Sequence, residues 1–498
     1  MAETKIQMND TSNIYRDTRL QKVDELRAMG VNPYPYRFDK THDASDLHEK
    51  YQHLSNGEET ADRIQIAGRV MSIRNSGMFI DLLDASGRIQ IFSHKDTLPE
   101  TYQPILKLLD LGDIIGVTGL IRRTPRGELT INADSIEVLC KSLQTLPEKY
   151  HGLSDVEMRY RQRYVDLIMN EPTRLTLRKR SQIIQALRSY LLSLGFLEVE
   201  TPMLHSIPGG AAAKPFITHH NALDMELYMR IAPELFLKRL VVGGLSEKVF
   251  EVNRCFRNEG ISTRHNPEFT MVELYQAYAD YQDMMNLAEK MIEHIAETVL
   301  GTTTISYNGH EINLKGPWIR KSMTDLVREH TGIDFLAIHD LAEAQDAAKK
   351  IGVDVKLCGS WGKVVAAVFE EKVESFLIQP THVTDLPLDI SPLAKVHRTD
   401  PRLTERFESF INTWEVANAF SELTDPIDQR ARLESQVADR DAGDDEAHLM
   451  DEDFITALEY GLPPTGGLGI GIDRMVMLMT DSSSIRDVIA FPTMRKRG

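Results

Sequence analysis

The apolar positions in the N-terminal part of the chain follow two different periods. Residues 14–29 have a helical spacing that ends at Gly30 and the turn-prone segment 32–35. From residue 63 onward the chain changes to short runs of Ile, Val, Leu and Phe, separated by turns such as 84–87 and 125–127. The runs predict strands over 64–71, 79–83, 88–92, 114–121 and 129–138, with a helix over 99–109 after the third strand.

Five strands with a helix after the third are typical of the OB fold, a barrel that binds single-stranded nucleic acid and tRNA loops. A generic small β-barrel fits the same pattern. The rest of the chain mixes helices with β-runs and lacks regular βαβ alternation, which predicts an α+β fold with a mainly antiparallel sheet. Its predicted strands lie at 196–202, 248–253, 270–275 and 467–472, and its predicted helices at 174–194, 283–300, 323–330, 341–351 and 362–376.

The net charge of the chain limits the classes of partner that its whole surface can bind. The 498 residues hold 57 Lys and Arg against 74 Asp and Glu, and the net charge of −17 excludes a simple electropositive coat for nucleic acid. Residues 61–145, with ten basic and ten acidic side chains, are neutral and therefore the segment best suited to approach a polyanion.

The spacing of the cysteines and the hydropathy of the chain indicate the cellular compartment. Cys140, Cys255 and Cys358 are widely spaced, which argues against a disulfide framework or a structural zinc site and suits a reducing cytosol. The N-terminal residues have no apolar core of the kind a signal peptide needs, and no run reaches 18 apolar residues. We therefore expect neither secretion nor a membrane span.

The segment 250–275 carries the strongest chemical pattern. A predicted strand ends in Arg257, and the following loop carries Arg264 and His265, whose cationic groups suit phosphate. Alternation places four side chains on one face of the returning strand: Phe269, Met271, Glu273 and Tyr275. Burial of an unpaired glutamate is costly, so this face indicates a site in which the aromatic ring stacks on a base. A solvated hairpin with ordinary ion pairs is the alternative.

Three motifs occur in order across about 280 residues. They are the segment 195–202 with its Pro202, the Phe-Arg-x-Glu run at 256–259 and the glycine-rich run at 466–474. Together they resemble motifs 1, 2 and 3 of the class II aminoacyl-tRNA synthetases. The resemblance covers essentially the whole chain, and the N-terminal barrel favours the subclass that activates Asp, Asn or Lys.

The resemblance implies a division of the chain into four parts. They are an N-terminal helical extension at 1–60, an OB-fold anticodon-binding domain at 61–145, a linker at 146–160 and a catalytic domain at 161–498. The catalytic domain is expected to be an antiparallel sheet flanked by helices, with an insertion at about 317–390. Motif 1 implies a homodimer.

The resemblance also implies an ATP site. Its catalytic residues are Arg257, which holds the α-phosphate and the substrate carboxylate, and Arg474, which covers the adenine and reaches the γ-phosphate. The other implied contacts are Glu259 to the adenine amino group, Arg264 and His265 to the distal phosphates, and Phe269 under the adenine. In such a site the substrate carboxylate attacks phosphorus in line and cations stabilise the developing charge, so the reaction needs no protein nucleophile.

Glu408 and Glu415 correspond to the magnesium ligands of the family, and Glu408 also contacts ATP. Because Mg²⁺ prefers oxygen donors and substrate phosphates, one or two carboxylates suffice; more than one ion is expected. Their spacing corresponds to two helical turns, and outside the motif such a pair indicates a solvated helix face. Trp414 stands where many relatives carry a basic residue.

Positions after motif 2 and after Glu415 match the lysine pocket of bacterial lysyl-tRNA synthetases, in subclass b. Two carboxylates and a phenol suit an ammonium group, whereas a pocket for aspartate presents a cation. The implied contacts are Glu273, Tyr275 and Glu422 to the ε-ammonium, Phe420 to the methylenes, Asn418 and Arg257 to the α-carboxylate, and Gly210 and Glu234 to the α-amino group. Lys214 stands where relatives usually carry Arg.

For the barrel, the resemblance implies recognition of an anticodon. Phe79 is the residue expected to stack on a base, while Arg74 and Gln90 are expected to bind base edges or phosphate. A phenylalanine on a strand is also a common core residue, so a structural role for Phe79 is the alternative.

The implied function is lysine activation: ATP and L-lysine give lysyl-adenylate and pyrophosphate, and the lysyl group passes to the 3′-terminal ribose of tRNA(Lys). A cytoplasmic homodimer is expected. The alternatives are an aspartyl or asparaginyl enzyme, a paralogue that lysylates a protein, and a catalytically silent paralogue that binds RNA. The acidic pocket disfavours the aspartyl or asparaginyl enzyme, and the N-terminal barrel disfavours the paralogue that lysylates a protein. The charged residues retained at 257, 259, 408, 415 and 474 disfavour the catalytically silent paralogue.

Overall fold

The computed structural model describes residues 2–94, 96, 98–147, 155–443 and 446–496, with side chains described from residue 14 onward. The chain divides into two compact units, residues 1–154 and 155–498. In these described ranges, no helix is both long and apolar enough to cross a membrane.

The first unit is built around a closed barrel with the strand order β1-β2-β3-β5-β4. Alternate residues of the strands, such as Ile80, Ile91 and Val117, point inward and are fully buried. This arrangement confirms the predicted barrel of five strands. The elements of the unit are α1 (Ala2–Ala28), α2 (Ala44–Lys50), β1 (Glu59–Arg74), β2 (Phe79–Leu83), β3 (Arg88–Phe92), α3 (Gln103–Leu108), β4 (Ile114–Arg123) and β5 (Leu129–Cys140).

The first helix is longer than the apolar spacing predicts. It begins at Ala2 rather than at Ile14, and it ends close to the predicted end, before Gly30 with its φ of 76°. Residues 2–13 contain neither Gly nor Pro, so no helix-breaking residue interrupts the helix in this stretch. The prediction began only at Ile14 because residues 2–13 lack the periodic apolar positions on which it depended.

The second unit combines a large sheet with flanking helices. Its helices are α4 (Val156–Arg161), α5 (Arg163–Met169), α6 (Glu171–Ser193), α7 (Glu234–Val242), α8 (Tyr281–Leu300), α9 (Met323–Thr331), α10 (Leu341–Lys350), α11 (Trp361–Lys372), α12 (Pro426–Asp441), α13 (Glu452–Glu459), α14 (Ile472–Met479) and α15 (Ile485–Val488). Its strands are β6 (Leu197–Glu198), β7 (Leu204–His205), β8 (Ile217–His220), β9 (Met225–Met229), β10 (Lys248–Phe256), β11 (Glu268–Ala277), β12 (Thr304–Tyr307), β13 (His310–Asn313), β14 (Ile319–Ser322), β15 (Thr381–Thr384), β16 (Arg406–Ile411), β17 (Trp414–Ser421) and β18 (Thr465–Gly471).

Within the described residues, the main sheet has the order β14-β15-β16-β17-β18-β11-β10-β6. Only the pairs at its two ends, β14 with β15 and β10 with β6, are parallel. The mainly antiparallel sheet expected for an α+β fold is therefore confirmed. The strand predicted over residues 196–202 is too long. Only Leu197–Glu198 pair with β10 in the sheet. Pro202 and the polar residues before it do not continue the backbone pairing of this strand.

The two faces of the central strands have different environments. Val272 and Leu274 of β11 and Leu468 and Ile470 of β18 pack under the helices α6 and α8 in the main core. The residues that alternate with them therefore point to the opposite face. That face forms the floor of the cavity described next.

Residues of the predicted insertion form a hydrophobic cluster of their own. Val327, Phe335, Val365 and Val368 are fully or almost fully buried there and pack against Val383 of β15. The predicted helix over 362–376 ends earlier, at Lys372, and a short 3₁₀ turn follows.

Candidate active site

A cavity of about 540 Å³ lies on the face of the sheet opposite the main core. It is bounded by the loop between β10 and β11, by the strands β11, β16, β17 and β18, and by the start of α14. The structure brings fifteen predicted residues to its wall: Gly210, Glu234, Arg257, Glu259, Arg264, His265, Phe269, Glu273, Tyr275, Glu408, Glu415, Asn418, Phe420, Glu422 and Arg474. Residues more than 260 positions apart in sequence thus share one site.

Arg257 lies at the mouth of this cavity, at the end of β10. Its backbone N–H donates to the carbonyl of Pro267 (2.9 Å), which fixes the start of the loop, and its guanidinium lies 5.0 Å from the ring centre of Phe269. The Nε atom is buried and has no hydrogen-bond partner among the described residues. A buried donor without a partner is costly, so this geometry favours an anionic ligand.

Two further arginines and a histidine lie in or beside the loop. The guanidinium of Arg264 lies 5.0 Å from the ring of Trp414, a core residue that also contacts Tyr307. His265 Nε2 lies 3.3 Å from Nη2 of Arg474. Burial and the positive charge of Arg474 lower the pKa of His265, so at neutral pH the ring is uncharged and accepts a hydrogen bond from the arginine. Trp414 therefore supports Arg264 in place of a basic residue.

Glu408 and Glu415 lie on a β-hairpin, which corrects the helical interpretation of their spacing. β16 and β17 are joined by Asn412 and Thr413, both with positive φ. At the register shift opposite Ser409 and Phe410, β17 contains one extra residue. This bulge reverses the alternation and allows Glu415 to share the cavity face with Asn418.

The two carboxylates form a donor set that suits Mg²⁺. Burial and the charge of Glu415 raise the pKa of Glu408 to about 7, although Arg406 Nη2 binds Glu408 Oε1 at 2.6 Å. Glu415 Oε2 is 3.7 Å from Nη1 of Arg474. Two carboxylates that repel each other on the wall of this cavity fit a hard cation that also takes ligands from the substrate. Among the described residues, no group of three or more His, Cys, Asp or Glu side chains is placed to hold a metal ion by itself.

The far end of the cavity is an acidic cage. Glu273 and Tyr275 are almost fully buried and adjacent on one face of β11, and Tyr275 Oη donates to Glu273 Oε1 at 2.6 Å. Glu422, the first residue after β17, and Glu234, the first residue of α7, complete it. Burial and the charge of Glu234 raise the pKa of Glu273 to about 8, and burial raises that of Glu422 well above its usual value. Such a cage accepts a positively charged group.

Two glycines create the space for this cage. A Cβ on Gly467, which lies between β17 and β11, would be 2.0 Å from Glu422 Oε1 and 2.7 Å from Cε1 of Tyr275. Gly210 has a φ of 87°, and a Cβ there would be 2.9 Å from that of Glu234. No larger residue fits at either position without displacement of the acidic side chains.

Sequence reasoning missed Lys238 and Arg406. Lys238 is fully buried and forms ion pairs with Glu234 Oε1 (2.5 Å) and with Glu422 Oε2. Arg406, besides Glu408, donates through Nε to Asn418 Oδ1 at 3.1 Å. The available signals were the four-residue spacing of Glu234 and Lys238 on a helix and the two-residue spacing of Arg406 and Glu408 on a strand.

The run 439–453 is rich in acidic residues, a pattern that by itself indicates a solvated loop, but parts of it belong to helices. Asp439 belongs to α12 and lines the cavity together with Glu446. Asp451 caps α13 and binds Arg239 at 2.7 Å. Residues 444 and 445 of the run lie outside the described residues.

The three residues predicted for the anticodon lie on the barrel of the first unit. Phe79 on β2 and Gln90 on β3 alternate with inward-pointing core residues and are half-buried. The Phe79 ring lies 5.2 Å from that of Phe92 and 5.9 Å from the guanidinium of Arg74. Arg74 binds Asp81 at 2.8 Å, and Gln90 Oε1 accepts a hydrogen bond from Thr130 at 3.0 Å. The outer face is therefore aromatic and polar rather than core.

Comparison with protein families agrees with both units. Residues 155–495 match the family of tRNA synthetases class II (D, K and N). The chain belongs to this class II synthetase family. Residues 64–139 match the OB-fold nucleic acid binding domain, which confirms the predicted OB fold and excludes a generic barrel.

Curated relatives of this class II synthetase match it from end to end. A lysine–tRNA ligase of Carboxydothermus hydrogenoformans is 57% identical and covers 96% of this chain and 97% of its own length. Enzymes of the same name from Bacillus subtilis and Sinorhizobium medicae are 55% and 54% identical, each over 99% of this chain and over 98% and 99% of their own lengths.

Proposed function

We propose that this class II synthetase activates L-lysine with ATP, giving lysyl-adenylate and pyrophosphate, and transfers the lysyl group to the 3′-terminal ribose of tRNA(Lys). The observation that carries the choice of amino acid is the acidic cage. Glu422 Oε1 is buried and has no hydrogen-bond partner among the described residues, while Glu273 and Tyr275 lie beside it. A protonated amine supplies the donor that this oxygen lacks, whereas an aspartate side chain adds a further negative charge.

The geometry supports a separate role for each arginine of the cavity in the first step, the formation of lysyl-adenylate. The lysine carboxylate oxygen forms a bond to the α-phosphorus, and the bond from that phosphorus to the bridging oxygen breaks to release pyrophosphate. Arg257, whose Nε has no partner among the described residues, is assigned to the α-phosphate and the carboxylate. Arg474 and Arg264 are assigned to the phosphates that leave. These fixed cations stabilise charge as it develops and require no covalent intermediate with the protein.

We assign the magnesium site to Glu408 and Glu415, and more than one Mg²⁺ ion is part of the proposal. When bound, the metal neutralises phosphate charge and orients the triphosphate. Two features of the chain place these carboxylates. Arg406 Nη2 donates a hydrogen bond to Glu408 Oε1 at 2.6 Å, and the bulge in β17 brings Glu415 to the same face.

The remaining site residues take the roles that the resemblance implies. Glu259 and Phe269 bind adenine, His265 contacts the distal phosphates, Phe420 packs on the lysine methylenes, and Asn418, Gly210 and Glu234 hold the α-carboxylate and the α-amino group. The location of all of them on one cavity wall supports these assignments. We further propose the four-part domain organisation with its insertion at about 317–390, supported by the separate hydrophobic cluster there.

ATP–pyrophosphate exchange with single amino acids tests the proposed function. We expect exchange with lysine and background rates with aspartate and asparagine, because only a cation relieves the repulsion within the cage. Exchange with aspartate or asparagine instead of lysine would assign the enzyme to its relatives in the family. No exchange with any amino acid would favour a silent paralogue.

The Phe79→Ala variant tests the role of the barrel. Loss of base stacking, worth about 1–3 kcal/mol per base, is expected to raise the KM for tRNA in aminoacylation by about 5- to 150-fold. Lysine-dependent exchange, which needs no tRNA, should not change. Tyr36→Ala, which removes a fully exposed aromatic residue outside the barrel strands, is the matched control. A loss of exchange in Phe79→Ala would mean that Phe79 is structural.

We propose a cytoplasmic homodimer formed through motif 1. Exposed leucines in this part of the second unit support a covered surface: Leu192, Leu194, Leu197 and Leu204 are each 39–53% exposed. The cytoplasm is the compartment in which thiols stay reduced, and Cys140, Cys255 and Cys358 are free.

A further inference from the structure

An internal ammonium group joins two walls of the acidic cage. Lys238 Nζ lies 2.5 Å from Glu234 Oε1, one helical turn earlier on α7, and also forms an ion pair with Glu422 Oε2 at the end of β17. The lysine side chain is completely buried. Its charge therefore links the helix to the sheet at the point where the proposed substrate ammonium binds.

Lys238 stands behind the cage rather than inside it. Glu234, Tyr275, Phe420 and Glu422 line the cavity, but Lys238 is not among the described residues that do. Its Nζ lies 5.4 Å from the ring centre of Phe420 and 5.8 Å from those of Tyr275 and Phe454, the last two being members of a hydrophobic cluster. A lysine in this place does not occupy the substrate site and does not have to leave it.

The ion pair determines which oxygen of Glu422 is available. Lys238 Nζ forms an ion pair with Oε2, while Oε1 lies beside Gly467, which also lines the cavity. Neither oxygen has a hydrogen-bond partner among the described residues, so only Oε1 has no partner of any kind there. A carboxylate held through one oxygen has little rotational freedom, so its second oxygen is pre-organised for a donor.

The charges of the filled site also require an internal cation. Glu234, Glu273 and Glu422 carry three negative charges when ionised, but lysine brings only two ammonium groups to them. Lys238 supplies the third positive charge, so the cage with its substrate is neutral. Without Lys238 one buried carboxylate would have no counterion and would take up a proton.

We propose that Lys238 is a positioning residue for lysine recognition: its ammonium fixes Glu234 and Glu422, so that each offers an oxygen to an amino group of the substrate. This inference rests on the proposed function and deepens it. It makes the lysine selectivity of the site depend on a lysine of the enzyme itself.

Lys238→Met, measured by lysine-dependent exchange, tests this role. We expect the KM for lysine to rise by about 10- to 100-fold, because a cage carboxylate becomes protonated and mobile. The kcat at saturating lysine and the KM for ATP should stay within about twofold, since neither involves the cage. Lys290→Met, which removes an exposed lysine on α8, is the matched control.

The pH profile separates this role from a purely structural one. Burial raises the pKa of Glu422 and Lys238 opposes that rise, so in Lys238→Met the fall of the KM for lysine with rising pH should be displaced to higher pH than in the wild type. The other titratable groups around the pair, among the described residues, are Glu234, Glu251, Glu273, Tyr275 and His448. Lys238 also lowers the pKa of Glu273, which is about 8, so its removal shifts both carboxyl groups of the cage in the same direction.

A second variant keeps the test decisive if Lys238→Met does not fold. Lys238→Met combined with Glu234→Gln removes one buried charge of each sign, and it is compared with Glu234→Gln alone. A further rise in the KM for lysine supports the inference. An unchanged KM for lysine, or an equal loss of ATP affinity, overturns it. A wild-type enzyme without lysine-dependent exchange would instead overturn the proposed function.

Discussion

Replacement of Arg257 by methionine lowers the kcat of lysine-dependent ATP–pyrophosphate exchange by about 10²- to 10³-fold, the usual cost of a lost electrostatic contact to the transition state. Arg257 and Phe269 both line the cavity, with the guanidinium 5.0 Å from the ring centre, and the buried Nε of Arg257 has no hydrogen-bond partner among the described residues. The negative charge on the α-phosphate oxygens grows as the carboxylate attacks, so the lost stabilisation appears in the rate more than in the KM for ATP. Steady-state exchange at saturating substrates measures this effect.

Arg254→Met provides the matched control for this experiment. Arg254 lies on β10, three residues before Arg257, is partly exposed and is not among the described residues that line the cavity. We expect exchange rates within about twofold of the wild type, as is usual for a surface substitution. If Arg257→Met retained wild-type kcat, or if both variants lost activity equally, the role assigned to Arg257 would be wrong.

Replacement of Glu422 by glutamine weakens the use of lysine by about 1.5–3 kcal/mol, the range for a hydrogen bond to a charged group. The expected result is a KM for lysine that is raised by about 10- to 150-fold, with a nearly unchanged KM for ATP. Glutamine keeps the shape of the side chain but removes the charge that attracts the ε-ammonium and pairs with Lys238.

The control for the second variant is Glu434→Gln, which changes an exposed glutamate on α12. It should leave both KM values unchanged. An equal rise in the KM values for lysine and ATP in Glu422→Gln would contradict the assigned role, because it would indicate a general disturbance of the cavity.

The sequence was sufficient to predict the face of β11. Strict alternation put Phe269, Glu273 and Tyr275 on one side, and the structure has them on the cavity wall while Val272 and Leu274 enter the core. Alternation succeeds here because the strand is regular and paired on both sides, with β10 and with β18.

The same reasoning failed where the strand is irregular. Glu408 and Glu415 have a spacing that also fits a helix, and the hairpin depends on Asn412 and Thr413 adopting positive φ. Such a two-residue turn is a weak signal without a following glycine. The bulge in β17 then reverses the side-chain alternation, which no periodic pattern can express.

Lys238 illustrates a different limit of sequence reasoning. A Glu and a Lys four residues apart on a helix usually form an exposed ion pair, so this pattern predicts a surface. Its burial depends on Glu422, 184 residues further along the chain, and on Gly467, which leaves room for that carboxylate. The role of Lys238 is therefore a property of the tertiary structure alone.

The most direct test of the acidic cage compares lysine with norleucine, which has the same aliphatic stem without the amine. The measured quantity is the ratio of kcat/KM for the two amino acids in exchange, in the wild type and in Glu422→Gln. The account predicts that the variant loses about 10- to 150-fold of the preference for lysine, because the carboxylate acts only on the charged end. A preference that is identical in both enzymes would contradict the claim that these buried carboxylates bind the substrate ammonium.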